Sequence, residues 1–267
     1  MKIKQGLGKT YYEQTATPSD PKAGPVSKSL LWDFHKSPFK WRHGSQRESS
    51  KAMELGTLIH AATLEPETFE DLVVVSPYPD FRTKEAREWK IDQMGLGKII
   101  TSEEEFGKIK EIATVVLDDY HLNFLAFYKT EMAVFGKIGD TDIKGLIDLV
   151  PDGLDCLVDL KTTSSFDSLD SIQRTIVNRG YHWQAALYLD LWNAASGEKR
   201  TRFVFCFVEV DAPHETAWVE ISENLLDIGR AGYMNAVAKW QTCIATNHWP
   251  KQIEGIAIIE TPKYIQQ

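Results

Sequence analysis

Cysteine is scarce: Cys156, Cys206 and Cys243 are the only three in 267 residues. So few, so widely spaced, give no disulfide framework. They also exclude a four-cysteine zinc or iron–sulfur site within one chain. No apolar run approaches the roughly 20 residues that a membrane helix needs. The opening MKIKQGLGKTYYEQ offers no apolar stretch for a signal-peptide core, so a cytoplasmic protein with no membrane partner is expected. GxSxG, HExxH and a full Walker A loop are absent. Gly6–Leu7–Gly8–Lys9–Thr10 has part of a phosphate loop but lacks the full spacing and any evident preceding strand, and reads as arm. Positive charge is in short supply too, 30 Lys and Arg against 38 Asp and Glu, a net −8. That balance argues against broad, non-specific nucleic-acid binding, although a local basic groove can sit on an acidic body.

What is present is a hydrophobic content of 43%, enough for a substantial core. Residues 1–26 are polar with Pro18, Pro21, Gly24 and Pro25, and read as an extended arm. Residues 27–122 read as a helical part. Ser27 caps SKSLLWDFHK, which stops before Pro38, and a basic, Ser-rich connection follows. Residues 51–64 carry an apolar stripe at helical spacing, 72–75 form a short strand, and 81–94 form a charged helix. Ser102 and Glu105 have the spacing of a capping box for a helix over about 103–120. Residues 123–221 read as the core, with a meander of three strands at 130–136, 142–150 and 154–160. Helices follow at 168–178 and 181–195, then strands at 203–210 and 216–221. A C-terminal helix over 222–246 and an irregular tail complete a single domain over 1–267. The order predicts an α/β fold with a central mixed sheet flanked by helices.

Within LIDLVPDGLDCLVDLKTT, Asp148 interrupts one apolar strand and Asp159 ends another, with Lys161 two residues on. Residues i and i+2 of a strand share a face, so Asp159 and Lys161 project together. Carboxylates at the end of an apolar strand are costly to bury unless something pairs with them. A hard divalent ion removes that cost, and oxygen ligands suit Mg2+, with Mn2+ as a substitute. Such an ion activates water and stabilises an in-line phosphoryl displacement. Lys161 could orient or deprotonate the attacking water, or stabilise the charge that develops. A lone Asp-x-Lys at a strand end is also an ordinary solvated ion pair.

These residues carry a resemblance. IDLV…VDLKTT resembles the core of the PD-(D/E)xK nuclease superfamily. From Ser27 to about Trp249 the chain is similar to the phage- and prophage-encoded exonuclease VIII (RecE-type) group, related to the RecB-like nuclease domain. The resemblance implies a restriction-endonuclease-like αβββαβ core with N- and C-terminal helical additions. GTLIHAATLEPETF matches the segment that carries a metal-binding histidine, here His60, which makes the implied ligands His60, Asp148 and Asp159. Glu131 matches an assisting acidic residue. Gln184 and Tyr188, one helical turn apart, match a QxxxY motif: the amide would hold the lysine or a phosphate, and the hydroxyl would sit near the scissile group. Three cysteines cannot serve the cluster of the iron–sulfur RecB-like branches, which fits the exonuclease VIII group.

The implied function is a metal-dependent exodeoxyribonuclease acting on ends of linear double-stranded DNA, 5′ to 3′, in the cytoplasm of a bacterial host. It would leave a 3′ single strand for an annealing partner and work as a ring-like homo-oligomer, typically a tetramer. Basic residues at Lys36–Lys40–Arg42–Arg47 and Arg82–Lys84–Arg87–Lys90 could line a groove for phosphates. Trp32, Trp41, Tyr78, Phe81 and Trp89 could stack on bases. Ser27, Arg42, Arg87, Thr162, Thr163 and Ser164 are the expected DNA contacts, the last three as donors just after the lysine. An endonuclease or single-strand nuclease on the same fold, and a catalytically silent DNA-binding scaffold, are the alternatives.

Overall fold

Serine and threonine caps set most helix boundaries in the computed structural model, which describes residues 1–5, 9–45, 50–125 and 127–261. The chain opens with β1 (Lys2–Gln5), α1 (Lys9–Glu13) and β2 (Val26–Ser27), then α2 (Lys28–Lys36), α3 (Pro38–His43), α4 (Lys51–Leu64) and α5 (Pro66–Leu72). Next come β3 (Val73–Val75), α6 (Lys84–Gly95), β4 (Ile99–Thr101), α7 (Glu103–Leu117) and α8 (Tyr120–Phe124). The meander is β5 (Tyr128–Ile138), β6 (Thr141–Pro151) and β7 (Cys156–Thr163). Helices α9 (Leu169–Asn178) and α10 (Tyr181–Ser196) cross over to β8 (Arg202–Glu209), and β9 (Thr216–Glu220) and α11 (Glu223–Thr246) follow.

The central sheet has the order β1-β5-β6-β7-β8-β9, with β2 added alongside β6. Its pairing is antiparallel except for β7 with β8 and β2 with β6, the former made possible by the helical crossover. The αβββαβ arrangement expected from the sequence is therefore present. One face of the sheet packs under α2, α10 and α11 around Phe34, Phe203, Phe205, Phe207 and Trp240; the other packs under α4 and α7 around Ile59, Ile112, Leu149 and Val208. No helix among the described residues is long and apolar enough to cross a membrane.

Several segments differ from the sequence expectation. The supposed arm over 1–26 contains β1, which pairs antiparallel with β5 through Ile3↔Val134, and α1. KIKQ has no apolar run to announce a strand; the open edge of β5 supplies its hydrogen bonds. A strand thus does precede the partial phosphate-loop sequence, whose Gly6–Gly8 lie outside the described residues. Pro38 starts a helix rather than only ending one: Ser37 accepts from Lys40 N, and proline takes the first helical position, where its missing N–H costs nothing. Pro66 does the same for α5. The Ser102–Glu105 capping box is present, but α7 ends at Leu117, short of 120. The charged helix α6 starts at Lys84 rather than 81 because Thr83 caps it.

Helices α10 and α11 touch through glycine. A Cβ on Gly229 would stand 2.2 Å from the His182 carbonyl oxygen, so α11 lies against the α10 backbone with no room to spare. Gly229→Val is expected to lower stability by about 1–3 kcal/mol through overpacking, seen as an earlier midpoint in urea unfolding. An unchanged midpoint would mean the two helices can separate freely.

Candidate active site

Strands β6 and β7 are registered through one pair, Leu149↔Val158, and then splay apart. The Leu160 amide, freed from the ladder, donates instead to Asp148 Oδ2 at 2.8 Å, so the aspartate fills the fork. Ile147 joins the core beneath α10 and Leu149 the core beneath α4. Residues two apart on a regular strand share a face; β6 therefore rolls over through Asp148. On β5, Thr130↔Leu149 and Met132↔Ile147 are paired, but Glu131 between them is not, and its φ is 49°. A left-handed glutamate costs on the order of 1–3 kcal/mol, a strain found mostly where it serves a site.

Helix α4 brings His60 to this fork, its Nδ1 3.5 Å from Asp148 Oδ2. One ligand atom from each of His60, Glu131 and Asp148 can be chosen so that all three lie within 4.8 Å of one another. Asp159, 1% exposed, lies beside them with both oxygens engaged: Lys161 Nζ pairs with Oδ2, and Gln184 Nε2 donates to Oδ1. Lys161 also stands over the rings of Tyr181, at 4.8 Å from the centroid, and Phe205, at 5.8 Å. The Tyr188 ring occupies the space where a Cβ on Gly145 would be, 2.8 Å from it.

Burial, reinforced by crowding of like charge, sets the electrostatics. Burial raises Asp148 to about 6, against the pull of Lys161 and the Leu160 amide. Burial and then Asp148 raise Asp159 to about 6. Burial, followed by Asp148 and Glu65, pushes Glu131 up to about 9. Burial and then Lys161 hold the His60 imidazole down at about 4, so it is neutral and free to ligate. Burial works against the Lys161 ammonium, but Asp159 and Asp148 outweigh it and raise its pKa. Three carboxylates reluctant to ionise together, with a neutral imidazole beside them, form a donor set that fits a hard divalent cation.

Asp148, Asp159, Lys161, Glu131, His60, Gln184 and Tyr188 are thus gathered in one region. The Gln184 amide goes to Asp159 rather than to the lysine or open space. The expected DNA contacts are more scattered. Ser27 is occupied as the cap of α2, accepting from Leu30 N. Arg42 donates to the Pro18 carbonyl and stacks near Trp249, while Trp41 packs against Trp240 and Trp249. Arg87 is exposed on α6, its Nε donating to Thr83 O at 3.3 Å, and Lys84 and Arg82 pair with Glu88 and Asp80. Thr162 faces Gly56 of α4, Thr163 donates to Ser165 O, and Ser164 is exposed. Arg47 lies outside the described residues.

The sequence reading missed Lys28, Tyr181 and Glu65 as members of this environment. The available signal for Lys28 was its place at the start of a capped helix, where a cation is disfavoured.

A family match and one solved structure agree with this architecture. Residues 27–262 match the model of a PDDEXK-like domain of unknown function (DUF3799). The chain resembles the crystal structure of a candidate exonuclease from Eubacterium rectale, with a TM-score of 0.67 and 16% identity over 98% of this chain and 97% of that one. A phage-related exonuclease from Haemophilus somnus aligns with 84% of this chain and 96% of its own length, at 14% identity and a TM-score of 0.38. No curated protein matches the sequence. With the family model spanning residues 27–262, the chain belongs to the PDDEXK-like family.

Proposed function

We propose that this protein is a divalent-metal-dependent exodeoxyribonuclease that degrades one strand of linear double-stranded DNA, 5′ to 3′, leaving a 3′ single strand. The observation that carries the reading is the fork between β6 and β7. There the Asp148 carboxylate, fixed by the Leu160 amide, meets His60 and Glu131 beside the Asp159–Lys161 pair. The exonuclease name of the Eubacterium rectale neighbour supports the choice within the nucleases.

His60, Asp148 and Glu131 would hold Mg2+ or Mn2+, with Glu131 taking the place expected for Asp159, whose oxygens go to Lys161 and Gln184. When bound, the ion polarises the phosphodiester and favours ionisation of the attacking water. Lys161 is kept charged by Asp159 and Asp148, so its part is to stabilise the negative charge developing on phosphate and to orient the water, rather than to take a proton. Gln184 holds Asp159 and thereby the lysine. Tyr188, on the same face of α10 one turn later, lines the region behind Gly145. Annealing of the 3′ strand by a partner protein and a ring-like homo-oligomer complete the proposal.

The test is incubation with linear and with covalently closed circular duplex DNA, in Mg2+ or in EDTA. Loss of the linear DNA alone, and only with metal, is the expected result. Degradation of the circle as well would make the protein an endonuclease on the same site. Binding without cleavage of either would leave a silent scaffold.

A further inference from the structure

Lys28 is 6% exposed and opens α2, where the unpaired backbone amides already carry partial positive charge. Its Nζ donates to the Arg179 carbonyl at 2.7 Å. It lies over the rings of Tyr181 and Trp32, at 5.1 and 5.7 Å from their centroids. Among the described residues no carboxylate forms an ion pair with it. Asp159 and Asp33 attract it from farther away, against larger opposing effects of burial and of Lys161, and the amine is held down at about 7. An ammonium group has three protons to place, and burying one without a counter-ion is expensive.

The surroundings show what would supply the missing charge. Tyr181 is in contact with both lysines, Lys161 at 4.8 Å from the ring centroid and Lys28 at 5.1 Å. That ring is set by Gly180, whose φ of 65° and contact with Trp32 leave no space for a side chain: a Cβ there would stand 2.5 Å from the indole. The turn from α9 into α10 therefore sets one aromatic ring against two ammonium groups. Lys161 has Asp159 to balance it; Lys28 has no such partner. Sharing that ring keeps the two ammonium groups within about 10 Å of one another, and Lys161 is near enough to depress the Lys28 amine, so a strand that meets Lys161 brings further phosphates toward Lys28.

We propose that Lys28 binds a phosphate group of the nucleic acid, adjacent to the one that Lys161 faces. The assignment rests on the nuclease reading. Its rival is a purely structural role, in which Lys28 only ties the C-terminal carbonyl of α9 to α2.

The experiment measures binding of a short linear duplex in EDTA at pH 6, below the value of about 7 at which the Lys28 amine is held, over a range of NaCl concentrations, for the wild type, Lys28→Met and Lys28→Gln. The glutamine amide can still donate to the Arg179 carbonyl but carries no charge. Removing an unpaired buried charge should leave the melting temperature of at least one variant unchanged or raised. Affinity should fall about tenfold, as for loss of one charge-assisted hydrogen bond. The slope of log K against log salt should shrink by about 0.9, the signature of one phosphate contact. Equal affinity and slope in a folded variant would overturn the proposal, as would a loss of binding only in step with a lowered melting temperature. Repeating the comparison on duplexes with 5′-phosphate and 5′-hydroxyl ends separates the sources. The same deficit on both assigns Lys28 to an internal phosphodiester, and a deficit only with the phosphorylated end assigns it to the terminus. If the wild type binds no DNA in EDTA or in Ca2+, and cleaves none in Mg2+, the nuclease reading fails by itself. Lys28 is then judged by inorganic phosphate, which should raise the melting temperature of the wild type but not of Lys28→Gln; no rise in either would overturn the site.

Discussion

Lys161→Ala is expected to lower metal-dependent cleavage of linear DNA by at least about 10³-fold, on the scale of losing a preorganised charge at the reacting phosphate. It should also cost roughly 3–5 kcal/mol of stability, because it breaks one side of a buried ion pair. Asp159 is 1% exposed and would be left with the Gln184 amide but without its cation. Burial and Asp148 already raise this carboxyl to about 6 while Lys161 opposes them; without the lysine it would climb further. A dead Lys161→Ala protein is therefore ambiguous until its folding is measured. The double variant Asp159→Asn/Lys161→Met resolves it. Neutral groups of similar shape remove both charges together, and neighbouring partners of this kind are not additive. Urea unfolding of the double variant should regain most of the lost stability, while digestion stays absent. Cleavage by folded Lys161→Ala would remove the lysine from the proposed chemistry. A double variant no more stable than the single one would mean that the pair does not act as a unit.

The sequence made the fork visible because charge stands out where it is expensive. Asp148 and Asp159 interrupt apolar strands, and the period of two joins Asp159 to Lys161 on one face without any structure. The meander, the crossover helices and the long C-terminal helix were likewise legible from residue pattern. What stayed hidden depends on tertiary pairing. KIKQ becomes a strand because β5 has an edge to complete, and Glu131 is singled out by a φ of 49° that no residue pattern announces. His60 resembles any polar residue on an amphipathic helix until α4 is laid across β7; resemblance, not spacing, brought it in. The basic and aromatic clusters show the reverse, residues whose surroundings composition does not reveal. Arg42 and Trp41 fit a DNA groove by composition, yet one donates to Pro18 and the other packs in an aromatic cluster with Trp240 and Trp249. Lys28 escaped because a lysine beside a helix cap looks solvated, and burial is a property of the fold.

Divalent metal should bind more tightly as pH rises from about 6 to 9, with Glu131 as the main cause. In the metal-free protein Glu131 holds its proton up to about 9, and Asp148 and Asp159 hold theirs up to about 6, above their ordinary values of 4.5 and 3.8. A carboxyl with a raised folded-state pKa favours the fold below its ordinary value, and that contribution disappears as pH climbs through the raised one. A metal that takes the ionised form must first displace the proton, so affinity should increase about tenfold per pH unit while one proton is released. Stability of the metal-free protein alone would not isolate this effect. Lys28 and Lys144, lowered by burial to about 7 and about 8, change stability in the opposite sense over the same range, and His60, held at about 4, does so below 6.5. The metal-dependent difference isolates the ligands, since the imidazole has no proton left to lose above pH 6. Titration calorimetry with Mn2+ in two buffers of different ionisation enthalpy reads both the affinity and the proton count. Glu131→Gln should flatten the dependence above pH 7 and weaken binding most at pH 9. A wild-type affinity constant across that range would mean that Glu131 does not share the metal with His60 and Asp148.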